Sequence, residues 1–89
     1  MSVTYLEVTY RHGKLLAAYL YLPRRRGEKS HRSEQTAKGL VVDYGRNGNA
    51  IGIEITAPRR VRLATINRVL ADLGIPALKK NDLAPLHAA

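Results

Sequence analysis

Histidine and carboxylate side chains are the first candidates for chemistry in this 89-residue chain, because they bind metal ions and transfer protons. The histidines, His12, His31 and His87, are far apart, and no two of them have the i, i+4 spacing that places ligands together on a helix. The chain has no cysteine, which excludes a thiolate nucleophile and a zinc–thiolate site. We therefore predict no metal site and no cofactor.

Asp43 and Glu54 form the carboxylate pair that a hairpin would bring to one side of a sheet. A close pair of this kind supports acid–base catalysis. We favour the alternative, in which each carboxylate pairs with an arginine such as Arg46 or remains in water. Ser33 is predicted to lie in flexible chain without a neighbouring base, as are the other serines. The sequence therefore predicts no catalytic residue and a protein that is not an enzyme.

Glycines could supply a phosphate-binding loop, but their placement here does not favour one. None of Gly39, Gly45, Gly48 and Gly52 opens a helix directly after a parallel strand, as phosphate binding at a helix N-terminus requires. Turn geometry accounts for Gly45 and Gly48. Gly52 lies inside a predicted strand, where glycine is typical of a bulge or of close contact with backbone.

Basic side chains are the remaining chemical signal, with fifteen Lys and Arg against seven Asp and Glu, a formal charge of +8 and a pI near 10.3. The candidates for polyanion contact form a loop cluster and a helix-entrance cluster, namely Arg24, Arg25, Arg26, Lys29 and Arg32, and then Arg59, Arg60 and Arg62. Such clusters contact the phosphates of nucleic acids. The alternative is that they only keep a small protein soluble.

Tyrosines are the second kind of side chain that could contact a partner, and the chain has five of them but no Trp or Phe. Tyr19 and Tyr21 share one face of a predicted strand. There they could stack on bases or pack against a neighbouring strand or subunit, which is the more usual role of tyrosine on a small sheet. We therefore predict Tyr19 and Tyr21 as interface residues.

Four strands and a helix are predicted to position these residues. The strands are expected at about 3–10, 15–22, 39–44 and 50–56, the helix at about 62–73, and a short turn or helix at about 80–86. The strongest signal is the last hairpin, in which Asn47-Gly48 lies between two β-branched runs. Its final strand should bury three isoleucines and expose Glu54.

The second strand reads as an uninterrupted apolar run from Leu15 to Leu22, which Pro23 ends. Eight residues suit a strand better than a helix and fall short of the roughly 20 that span a bilayer. Alternation predicts one face made of Leu16, Ala18, Leu20 and Leu22. Because the N-terminus also lacks the pattern of a signal peptide, we expect a cytoplasmic protein with no membrane partner.

The segment from Pro23 to Lys38 has no large apolar side chain, so it cannot offset its ordering entropy by burial. We predict a long basic loop at about 23–38, either functional or disordered. By contrast, leucine and isoleucine recur along the helix with its period, and Gly74 is predicted to end it with Ile75 folded back onto Leu70. The expected architecture is α+β, with residues 1–89 in one domain: a four-stranded antiparallel meander covered on one face by the helix.

A set of matching segments resembles a small bacterial family, domain of unknown function 2283. The segments are Tyr10, Ala18-Tyr19-Leu20-Tyr21-Leu22, Val42-Asp43-Tyr44, Gly48 and Gly52-Ile53-Glu54-Ile55. They cover roughly residues 6 to 56 of the chain. The turns here are more basic than is usual in that family. The resemblance implies no established activity, and for some members an antitoxin-like role, against which the basic charge of this chain argues.

Together these observations predict a non-enzymatic interaction module that binds a protein partner or a second copy, by sheet extension or through its tyrosines. Nucleic-acid binding through the two basic clusters is the alternative.

Overall fold

A computed structural model describes residues 4–23 and 27–87, with the backbone alone for His87. Five strands form one antiparallel sheet in the order β1-β2-β5-β4-β3. The strands are β1 (Tyr5–Arg11), β2 (Lys14–Tyr21), β3 (Arg32–Ala37), β4 (Leu40–Tyr44) and β5 (Ala50–Ile55). Helix α1 (Leu63–Asp72) follows, and then a 3-10 turn (Lys80–Leu83) that runs into the short helix α2 (Ala84–His87). The α+β class is therefore as predicted.

The prediction of four strands was wrong, because β3 lies inside the segment that we expected to be a mobile loop. Five of its six residues are exposed, so no burial pattern marks it in the sequence. Backbone pairing with β4 holds it at the edge of the sheet, with Ser33 opposite Asp43 and Gln35 opposite Val41. A polar strand of this kind is stabilised by its cross-strand neighbours rather than by its own hydrophobicity.

One face of the sheet, the inner face, packs against the helical segments. Ile51, Ile53 and Ile55 are almost fully buried, as the alternation in β5 predicts. Ile66 and Leu70 of α1 cover Ile53 and Ile55 in a single hydrophobic cluster. The same cluster includes Leu83 and Leu86, so the C-terminal segment contributes to the core as well as α1.

The predicted face of β2 was wrong at its first position. Leu15 is 8% exposed and lies in the core, whereas Leu16 is 53% exposed. The reason is an irregularity in the β1–β2 pairing, where Thr9 is opposite Ala17 but Tyr10 is opposite Leu15. One extra residue on β2 reverses the alternation at that point.

Helix α1 ends as its sequence predicts. Gly74 has a φ of +73°, a conformation that glycine adopts without steric cost. The Ile75 amide donates to the carbonyl of Leu70 over 2.9 Å, and the Gly74 amide donates to the carbonyl of Ala71 over 3.1 Å. These two bonds are those of a Schellman motif, and they turn the chain back toward the sheet.

Asn67 ties the chain that follows α1 back to the helix, a contact that the sequence did not indicate. Its Oδ1 accepts from the amide of Leu78 over 2.8 Å, and its Nδ2 donates to the carbonyl of Leu78 over 3.1 Å. One residue further on, the Lys79 amide donates to Asp82 Oδ2 over 2.8 Å and begins the 3-10 turn. These bonds place Leu83 and Leu86 against the sheet.

Replacing Asn67 with alanine is expected to lower the free energy of unfolding by about 1–2 kcal/mol, because both backbone groups of Leu78 lose a half-buried partner. Chemical denaturation monitored by circular dichroism measures the change. Arg68→Ala is the control, since Arg68 is the exposed neighbour on the same helix and should change stability by less than about 0.5 kcal/mol. Equal effects of the two substitutions would contradict the prediction.

Candidate functional site

The second face of the sheet carries no helix in the described part of the chain, and we call it the open face. Cross-strand pairing places its central residues in two rows. The first row is Tyr5, Tyr21, Gly52, Asp43 and Ser33, and the second is Glu7, Tyr19, Glu54, Val41 and Gln35. Side chains of alternate residues project to the same side of a sheet. The open face is therefore made of tyrosines, carboxylates and small or polar residues.

A hydrogen-bond network crosses the open face above Gly52. The hydroxyl of Tyr19 donates to Asp43 Oδ2 over 2.7 Å, and the hydroxyl of Ser33 donates to Asp43 Oδ1 over 2.5 Å. To reach Asp43, the Tyr19 ring lies directly over Gly52, where the Cβ of any other residue would overlap the ring and the phenol oxygen. Gly52 was predicted to mark a bulge or a close contact with backbone. The β4–β5 register does shift beside it, where Asp43 is opposite Gly52 but Tyr44 is opposite Ala50, and the group that approaches Gly52 is an aromatic side chain rather than backbone.

Three tyrosine rings form a cluster at the β1–β2 end of the open face. Tyr5 and Tyr21 are stacked, with ring centroids 4.5 Å apart, and Tyr19 meets Tyr21 edge to face at 4.7 Å. The hydroxyl of Tyr21 also donates to Glu7 Oε1 over 3.3 Å. Both predicted interface residues, Tyr19 and Tyr21, are thus held by neighbours, while Tyr5 remains 54% exposed.

Asp43 and Glu54 lie on one side of the sheet, as predicted for this hairpin, but they are not direct cross-strand partners. Asp43 lies opposite Gly52 and Glu54 lies opposite Val41, so the two carboxylates are diagonal rather than facing. Asp43 was expected to pair with an arginine such as Arg46 or to remain in water, but its two oxygens accept from the hydroxyls of Tyr19 and Ser33. Ser33 was predicted to lie in flexible chain, but it is a residue of β3.

Arg32 was predicted to lie in the basic loop, but it is the first residue of an edge strand. It belongs to β3 and lies directly opposite Tyr44. Its guanidinium lies 4.1 Å above the Tyr44 ring, and Nη1 contacts Glu34 Oε2 at 2.9 Å. Lys29 is exposed in the connection between β2 and β3, and the predicted contacts Arg24, Arg25 and Arg26 lie outside the described residues.

The helix-entrance cluster borders a cleft beside the first turn of α1. Arg60 and Arg62 line this cleft of about 550 Å³ together with Lys38 from the β3–β4 turn and with Thr56. Arg59 is exposed nearby in the chain but does not line the cleft. Arg60 and Arg62 were grouped in the sequence because they are close in the chain, and the fold brings Lys38 to the same cleft.

Histidines do not converge in the described structure. His12 occupies the β1–β2 turn with a φ of +53°, and His31 lies just before β3 with its amide donating to the Tyr44 carbonyl over 2.7 Å. Over residues 4–23 and 27–87, no three His, Asp or Glu side chains are grouped as metal ligands. Neither helix in those ranges has the length and apolarity needed to cross a bilayer.

Sequence reasoning missed three residues of the open face: Tyr5, Glu7 and Ser33. Tyr5 and Glu7 alternate with Leu6 and Val8, a pattern that separates them from the core but does not link them to Tyr21. No comparable signal existed for Ser33, because β3 was not recognised as a strand. The contacts of all three depend on which strands are neighbours in the sheet.

Comparison with known proteins gives one match. The family model described as protein of unknown function (DUF2283) matches residues 17–57. No curated protein and no solved structure matches the chain. The matched range begins within β2 and includes all of β3, β4 and β5, and with them Tyr19, Asp43 and Gly52, whereas Tyr10 falls outside it. The part of the chain that builds the Tyr19–Asp43 network therefore resembles this family of unknown function.

Proposed function

We propose that this protein is a non-enzymatic protein-interaction module and that a protein partner or a second copy docks on the open face of its sheet. The hydrogen-bond network of Tyr19 carries this proposal. A tyrosine whose ring and hydroxyl are both held by neighbours loses little conformational entropy when a partner covers it. Such pre-ordered aromatic side chains are typical anchors of protein interfaces.

The composition of the open face supports the same function. Tyr5, Tyr19 and Tyr21 offer apolar ring surface with polar edges, and Val41 adds an aliphatic contact between them and β3. The described helices pack on the inner face and do not cover this surface. The edge strands β1 and β3 provide a second route to association, by sheet extension.

Nucleic-acid binding is the second candidate, and the helix-entrance cleft favours it. Arg60, Arg62 and Lys38 converge there, and Thr56 and Thr65 add hydroxyl donors. Phosphate contacts of this kind give affinity without sequence specificity. This surface lies at the start of α1 and none of the three tyrosines lines it, so the two candidates are separable by experiment.

Site-specific photo-crosslinking separates them. A photoreactive amino acid is placed at Val41 on the open face, at Thr56 in the cleft, or at the exposed Ala71 of α1 as the matched control, in cells that make the protein natively. We expect discrete protein adducts from Val41 and none from Ala71. Nuclease-sensitive adducts from Thr56 would favour the second candidate, and a Val41 pattern equal to that of Ala71 would contradict the proposal.

A further inference from the structure

The open face has a charge opposite to that of the protein as a whole. Glu7, Asp43 and Glu54 supply three of the chain's seven acidic residues, while the other four are distributed among fifteen Lys and Arg. None of the ten residues in the two rows of the face is basic. The ion pair that forms between described residues, Arg32–Glu34, lies elsewhere. Among the described residues of this basic protein, the two rows of the open face thus form an acidic, tyrosine-rich surface.

From this surface we infer that the occupant of the open face is an arginine-bearing extended segment of another protein, an inference that rests on the proposed function. Carboxylates bind guanidinium groups through two parallel hydrogen bonds. Tyrosine rings attract the same group through cation–π contact, and arginine is better suited than lysine to both. The face supplies both kinds of group within one patch.

The chain itself contains the arrangement that this occupant would form. Arg32 lies 4.1 Å above the ring of Tyr44 while it contacts Glu34 at 2.9 Å. On the open face, Glu54 and Glu7 lie on either side of Tyr19 as its direct cross-strand neighbours. A guanidinium that binds Glu54 or Glu7 there would lie beside the tyrosine rings, as Arg32 lies beside Tyr44.

The size of the face favours a short segment over a folded domain. Five strands about 4.8 Å apart give a patch roughly 20 Å across, which about six extended residues would span. A second copy docked face to face would bring two sets of three carboxylates together, and like charges in one interface are unfavourable. An arginine-bearing segment places positive charge on the same patch.

Titration of the isotope-labelled 89-residue chain with a capped peptide of alternating arginine and serine, six residues long, tests the inference by nuclear magnetic resonance. The matched peptide has citrulline, which is neutral and of the same shape, in place of each arginine. We expect amide shifts in the rows of the open face. The dissociation constant should be about tenfold larger for the citrulline peptide, the scale of one lost charge-assisted hydrogen bond.

Variants of the protein give a second readout. The double substitution Glu7→Gln and Glu54→Gln should weaken binding of the arginine peptide about tenfold. Both carboxylates are exposed, and the spectrum without peptide verifies the fold. Asp72→Asn removes an exposed carboxylate of α1 and should leave the affinity within about twofold.

Equal affinity for arginine and citrulline peptides, or shifts confined to α1, would overturn the inference. So would shifts of the open face that appear on raising the protein concentration alone, because the occupant would then be a second copy. In that last case the proposed function would stand. Its own failure is read separately, from the absence of specific crosslinks at Val41.

Discussion

Replacing Gly52 with alanine is expected to lower the free energy of unfolding by about 1–3 kcal/mol, the usual cost of overpacking. The added methyl group would overlap the ring and hydroxyl of Tyr19. Either the ring moves and its 2.7 Å hydrogen bond to Asp43 is lost, or β5 shifts and disturbs the isoleucines on its other side. Urea denaturation of the two proteins measures the difference.

A double-mutant cycle with Tyr19→Ala isolates the cause. Without the ring, Gly52→Ala should become neutral or stabilise the protein by up to about 1 kcal/mol, because alanine restricts the unfolded chain more than glycine does. The sign of the Gly52→Ala effect is therefore expected to depend on Tyr19. If alanine at position 52 destabilised both backgrounds equally, the ring would not be the reason for this glycine.

Replacing Ile53 with alanine is expected to be more costly, at about 2–5 kcal/mol. Ile53 is 0% exposed and packs in one cluster with Ile66 and Leu70 of α1, so its truncation leaves a cavity between sheet and helix. A small domain has a total stability of about 5–15 kcal/mol. Thermal and chemical denaturation should therefore show a large fall in stability. A loss of about 5 kcal/mol would leave part of the protein unfolded without denaturant.

Glu54→Ala is the matched control for Ile53, since the two residues are adjacent on β5 but project to opposite faces. Glu54 is exposed and forms no ion pair with a described residue, so its removal should change stability by less than about 0.5 kcal/mol. Comparable losses from both substitutions would mean that the register of β5 has been misassigned. The comparison thus tests directly which face of the sheet is buried.

Stability and interaction are linked at Gly52. Gly52 is buried beneath the Tyr19 ring, and that ring belongs to the proposed docking surface. A side chain added at position 52 would therefore change the open face as well as the stability of the fold. Glu7→Gln and Glu54→Gln change the face alone, which is why they are the variants used to measure binding.

The elements that local periodicity encodes were predictable from the sequence. Ile51, Ile53 and Ile55 alternate with Gly52 and Glu54, and such a pattern buries one face whatever the neighbouring strands are. The leucine and isoleucine period of α1 and the stop at Gly74 are equally local. Each of these signals arises from residues a few positions apart, so no knowledge of the topology was needed.

Only the tertiary structure decided that β3 exists and which residues make up the open face. Residues Arg32–Ala37 have no hydrophobic period, and they form a strand because β4 offers an edge with which they can pair. The network that joins Tyr19 to Asp43 spans 24 positions of sequence and exists because β5 lies between β2 and β4 with a glycine under the ring. Local sequence patterns determined most of the buried residues, although the pairing of β2 with β1 reversed Leu15 and Leu16. The order of the strands determined which exposed residues meet.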